Sequence, residues 1–191
     1  MKLTFTRLDE RRYETLVTRD DGVSFHVKGI GHMFAIPHDL AHFAIEEALH
    51  LRRGFWGSVA EGAVFPSMTH VAGRRKPRAA SRSAEVLKAN RGHIGESELL
   101  VSIFNGAIEQ GCREDSAVLR QRLNEYWYPV ADRQCGITAA AISDVFASWR
   151  RMWRAWHSLP IGGTLDLVWC AATHANRSRG AGRRRRERRS A

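Results

Sequence analysis

The alternation of apolar and polar residues at the start of the chain constrains its fold more than any other feature. "KLTFTRL" alternates from Leu3 through Phe5, and "YETLVTRDDGVSFHV" splits at Asp21-Gly22 into two further period-two runs. A side chain in a strand points to the opposite face from its neighbour, and Asp-Gly suits a tight hairpin turn. The first 28 residues therefore predict an antiparallel meander, which Gly29 and Gly31 interrupt.

The period then changes to that of helices. Pro37 fits the first turn of a helix, where its missing N–H costs nothing, and Asp39 complements the positive end of the helix dipole. This helix is expected to run to about Leu51, with Leu40, Phe43, Ala44, Ala48 and Leu51 as its buried stripe. "FWGSVAEGAVF" predicts a short second helix across Gly54. "ESELLVSIFNGAIEQ" predicts a third, ending at Gly111, and "DSAVLRQRLNEYW" a fourth, stopping before Pro129. The fifth, "TAAAISDVFASWRRMWRAWHSL", places Ile142, Val145, Phe146, Trp149, Met152, Trp153 and Trp156 at helical spacing, with Pro160 closing it. "TLDLVWC", after Gly162-Gly163, reads as a strand returning to the N-terminal sheet. Between the second and third helices, residues 69–83 read as a mobile basic loop with Arg74, Arg75, Lys76, Arg78 and Arg82 around one proline.

The class is α+β: a small antiparallel sheet of three N-terminal strands and one C-terminal strand, packed against a cluster of about five helices. At 191 residues the chain is long enough for one domain, and a globule of that size buries roughly 70% of its unfolded surface. We assign residues 1–172 to a single globular α+β domain and 173–191 to a disordered tail. From Arg177 onward the sequence holds eight arginines against one glutamate, most of the chain's net +10. A block of like charge without apolar residues buries too little surface to order itself.

Three cysteines, Cys112, Cys135 and Cys170, form no C-x-x-C pair and suggest reduced thiols. The start lacks the apolar core of a secretory signal, and no run approaches the about 18 apolar residues of a membrane span. The expectation is a cytoplasmic protein without a membrane partner. The tryptophan-rich helix carries Arg150, Arg151 and Arg154 opposite its apolar stripe. Such a helix can lie on an anionic membrane, but with no other membrane signal core packing with the arginines in solvent is the preferred reading.

The candidate chemistry lies in "IPHDLAHFAIEEALH", where His38, His42, Glu46 and His50 recur at every fourth position. Four residues of helix give about 6 Å of rise and about 40° of rotation, so neighbours in this row face nearly the same way. H-x-x-x-H is the spacing by which a zincin helix presents two imidazoles to zinc, although Asp39 stands where that motif has glutamate. His38 and Glu46 are about 12 Å apart along the axis, too far to share an ion comfortably through bonds of about 2.0–2.2 Å. An adjacent pair with a ligand from elsewhere is the better geometry, from candidates such as His32, Glu61, His70, His93 or Asp166. Glu46 is then either a third ligand or a partner that orients His42. A helix N-terminus disfavours the protonated imidazole, which favours His38 and His42 as neutral ligands. The competing reading makes the row the solvated side of an amphipathic helix.

The strand meander, the "PHDLAHFAIE" helix and the "GFWGSVAEGA" turn, over residues 1 to about 65, resemble an uncharacterised bacterial family. The resemblance implies no activity and marks P-H-D-x-x-H-x-x-x-E as a unit.

Other motifs are missing. Ser58 lacks the setting of G-x-S-x-G, "GIGH" lacks the third glycine of a dinucleotide fingerprint, and there is no phosphate-binding G-K-[ST]. Glu96 and Glu98, like Glu46 and Glu47, read as solvated helix residues. The leading expectation is a divalent-metal-binding protein, zinc being the first candidate, and a metal-dependent hydrolase of an unknown small substrate. His38, His42 and Glu46 form its metal face and Asp39 is its general base. The alternative is a non-enzymatic module contacting nucleic acid or acidic partners non-specifically through Arg74, Arg75, Lys76 and the tail arginines Arg183, Arg184, Arg185 and Arg186.

Overall fold

The computed structural model describes residues 1–29, 35–131 and 136–170, the side chains of 126–131 excepted. The alternating runs form strands β1 (Lys2–Arg7), β2 (Tyr13–Thr18) and β3 (Ser24–Lys28). Helices α1 (His38–Ala48) and α2 (Phe55–Glu61) follow, then strand β4 (Met68–Ala72), and then helices α3 (Ala79–Glu109), α4 (Ala117–Ala131) and α5 (Ala139–His157). Strand β5 (Thr164–Val168) comes last. The sheet has the order β4-β3-β2-β1-β5, and every neighbouring pair is antiparallel.

The register explains the alternation. Leu3 pairs with Val17 and Leu167, and Phe5 with Thr15 and Leu165. Leu3, Phe5, Tyr13, Val17, Phe25 and Val27 thus face the helices and are buried, while Lys2, Glu14 and Asp166 face outward. Gly22 turns the β2–β3 hairpin with φ +78°, a conformation that costs glycine little. The core continues into α1 through Leu40, Ala41, Phe43, Ala44 and Ile45, and into α5 through Ile142, Val145, Phe146, Trp149, Met152 and Trp156. Edge-on ring contacts tie sheet to helices, Phe5 to Trp56 at 6.2 Å and Tyr13 to Trp156 at 6.3 Å. No helix among the described residues is long and apolar enough to cross a membrane.

Several sequence expectations need correction. β4 overlaps the span read as a loop, 69–83, of which only 73–78 is without regular structure. As an edge strand that buries Met68 alone, β4 gains its order from backbone bonding to β3 and needs no apolar periodicity. α3 begins at Ala79, not near Glu96, because in its first half only Ser83 and Asn90 are buried and no hydrophobic stripe marks it. α4 continues two residues past Pro129, since proline removes its own N–H without obliging the chain to turn at once. Trp153 is 41% exposed and stacks on His157 at 4.4 Å instead of entering the core. α1 ends at Ala48, and His50 beyond it has φ +55°, so the fourth member of the histidine row is not helical. Cys135 and the tail after Cys170 lie outside the described residues.

Candidate metal site

Pro37 precedes the first helical residue, His38, and its carbonyl accepts the Ala41 N–H at 2.9 Å. The helix therefore starts early enough for His38 and His42 to occupy consecutive turns. Their Nε2 atoms lie 3.2 Å apart, with ring centroids at 4.7 Å and planes at 85°. A third group arrives from α3: Glu98 Oε2 is 3.4 Å from His38 Nε2 and 3.3 Å from His42 Nε2. Three donors on a tetrahedral ion stand about 3.3 Å apart when the bonds are about 2.0 Å long. The triangle of 3.2, 3.3 and 3.4 Å has the size of one face of such a tetrahedron. Among the described residues this is the group of three whose ligand atoms converge closely enough to hold a metal ion. His38 and Glu98 are 43% and 50% exposed, so solvent reaches the triangle, whereas His42 is 1% exposed.

Glu46 takes the opposite side of His42. Its Oε1 lies 3.0 Å from His42 Nδ1, which keeps a proton on Nδ1 and turns Nε2 toward the triangle. The same carboxylate accepts the Ser97 hydroxyl at 2.5 Å, the Phe55 N–H at 2.7 Å and the Trp56 N–H at 3.0 Å. Phe55 and Trp56 open α2, so Glu46 caps that helix and satisfies two donors that have no partner within it. Of the two parts considered for Glu46, the geometry matches the partner that orients His42, not the third ligand. The burial of His42 and Glu46 overturns the solvated-face reading for these two, while His38 and His50 keep solvent contact. Gly54 makes the arrangement possible, since a Cβ there would sit 2.6 Å from the Glu46 carboxyl carbon. Gly54→Ala is therefore expected to cost about 1–3 kcal/mol, read as a lower denaturant midpoint at unchanged slope.

Electrostatics departs from the sequence expectation. Burial alone pushes His42 toward the neutral form, but hydrogen bonds to Glu46 and Glu98, reinforced by their charges, lift its pKa to about 9. Two nearby carboxylates outweigh the partial charge of a helix end, so metal-free His42 carries a proton. Hydrogen bonds from His38 and His42 hold the Glu98 carboxyl well below its usual range. Burial pushes Asp39 upward against the pull of both imidazoles. The Asp39 carboxyl lies beside Tyr13, its Oδ2 is buried without a hydrogen-bond partner, and its backbone carbonyl accepts from Trp56 Nε1 at 2.9 Å.

The other suggested third ligands are engaged elsewhere. Glu61 accepts from Asn90, His70 bonds the Gly73 carbonyl, His93 faces Glu96, and Asp166 binds Thr4 and Lys2. His32 lies outside the described residues, as do Arg183, Arg184, Arg185 and Arg186. Arg74, Arg75 and Lys76 are exposed between β4 and α3, far from the triangle. Glu98, read as a solvated helix residue, is the member of the triangle that sequence reasoning missed. No spacing pattern signals it, because it enters through the packing of α3 on α1. A cleft of about 630 Å³ lined by Glu46, Glu47, Ser148, Arg151 and Trp169 does not include His38, His42 or Glu98. Glu47 and Arg151 there already neutralise each other. No protein family, curated protein or solved structure matches the chain.

Proposed function

We propose that this protein binds a divalent metal ion through His38, His42 and Glu98 and uses it in hydrolysis. The observation that carries the reading is the near-equilateral triangle of two imidazole nitrogens and one carboxylate oxygen, open to solvent on one side. Two histidines and one glutamate form a donor set of catalytic zinc, which makes zinc the first candidate. An ion held by three protein ligands leaves a position for water or substrate, and it supplies activation of water and polarisation of a substrate oxygen. Glu46 and Ser97 hold His42 in the ligating tautomer. Asp39, one residue from the first ligand and with one carboxylate oxygen unpartnered, is assigned as the proton acceptor. Unpaired Cys112 and Cys170 fit a reducing compartment, and we place the protein in the cytoplasm.

Elemental mass spectrometry on tag-free protein tests the metal, with wild type beside His42→Ala and Glu98→Ala. About one ion per chain is expected in the wild type, lost from both folded variants. A wild type that takes up none of zinc, manganese or iron(II), or variants that keep the ion, would overturn the reading. Hydrolysis is tested separately with Asp39→Asn, which should retain the ion and lose turnover on simple carboxylic and phosphoric esters.

A further inference from the structure

The turn from β4 to α3, "GRRKPR" at 73–78, has a fixed course. Gly73, at φ +85°, packs so closely on the β2–β3 hairpin that a Cβ would lie 2.2 Å from the Gly22 carbonyl oxygen. His70 Nε2 bonds the Gly73 carbonyl at 2.9 Å, and the Ala79 N–H donates to the Lys76 carbonyl at 3.1 Å. On this frame Arg74, Arg75, Lys76 and Arg78 are all exposed.

One more exposed cation, Arg82, flanks them, and it stands beside Arg19, whose side chain is 9% exposed. Arg82, one turn into α3, reaches back to the Glu61 carbonyl, and its Nε lies 3.2 Å from where a Gly62 Cβ would be. A terminal nitrogen of Arg19 lies 3.9 Å from the same point. Of the neighbouring acids, Asp21 is paired with Arg19 at 3.0 Å, and Glu61, which accepts from Asn90 at 2.9 Å, keeps its charge against those of Arg74, Arg75, Lys76, Arg78 and Arg82. Lys76 acts on the already paired Asp21. The surface keeps a surplus of positive charge. Charges that only guard a sheet edge belong on the strand, whereas these follow its last residue.

We infer that this turn, with Arg82, is a docking surface for the phosphate backbone of nucleic acid. Guanidinium forks match phosphate oxygens, and clustered cations gain affinity by releasing counterions. Within the turn, Pro77 is the one apolar side chain, so it lacks the buried aromatic or aliphatic anchor of a protein–protein hot spot. Contacts confined to phosphates carry no base information, so binding is sequence-independent. The surface is distinct from the metal triangle, since Ala79 and Glu98 are about 28 Å apart along α3.

The test uses the full chain, wild type beside the triple variant Arg74→Glu, Arg75→Glu, Lys76→Glu and a neutral triple variant with glutamine at the same positions. Fluorescence anisotropy with labelled DNA strands of about 20 nucleotides, single and duplex, is followed from about 50 to 200 mM salt. Both variants should bind at least tenfold more weakly, with the slope of log affinity against log salt reduced by about 2–3. The arginine-rich tail is present in every form, so the difference reports on the turn. Wild type that fails to bind, or variants with unchanged affinity and slope, would overturn the inference. So would polyglutamate of matched charge competing as well as nucleic acid, which would point to an acidic protein instead.

Discussion

Glu46→Ala is expected to destabilise the protein by about 3–5 kcal/mol, the range for removing one partner from a buried charged pair. The loss does not come from one contact. Glu46 is fully buried and accepts the N–H groups of Phe55 and Trp56 and the hydroxyl of Ser97 while facing His42 Nδ1. Without it, these donors stay buried and unsatisfied. Glu46→Gln separates size from charge. Both carboxylate oxygens now accept, Oε1 from Phe55 and Ser97 and Oε2 from Trp56. An amide of the same shape must turn an N–H toward one of these donors. Urea denaturation of both variants checks the argument: glutamine as stable as glutamate would show that shape, and not acceptor capacity, holds the three helices.

Metal affinity is expected to rise about tenfold per pH unit until pH reaches about 9, because the ion must displace the Nε2 proton of His42. The folded-state pKa is raised above the ordinary value, so in the metal-free protein the protonated imidazole stabilises the fold. That contribution is complete below about pH 6.5 and is lost as pH rises through about 9. Metal and proton therefore support the same place at opposite ends of the range. Metal-free protein should lose stability between neutrality and pH 9, whereas excess metal should remove most of that loss. Competition against a chromophoric chelator at several pH values gives the slope. An affinity flat from pH 6.5 to 8.5 would mean that His42 gives up no proton to the ion.

Much of this architecture is legible in the sequence. The meander, the Asp21-Gly22 hairpin, α1, α5 and the returning β5 each repeat an apolar period over enough residues to be recognised. β4 and the first half of α3 bury almost nothing and carry no such period, so their structure comes from the elements beside them. The site divides in the same way. His38 and His42 are visible because consecutive turns of one helix impose their spacing, and Glu46 is visible as the next member of the row. Its destination is not visible, because that depends on α2 starting at Phe55 directly beneath it. Glu98 is hidden altogether, since its partners lie some 60 positions earlier in the sequence and meet it through helix packing alone.

The capping of α2 by Glu46 also defines what an engineer can transplant. Two helices carrying His38, His42 and Glu98 look like the minimal cassette, yet grafted alone they would leave the Glu46 carboxylate without the Phe55 and Trp56 N–H groups. The portable unit is three-part: α1, the stretch of α3 around Ser97 and Glu98, and the first turn of α2 with Gly54 before it.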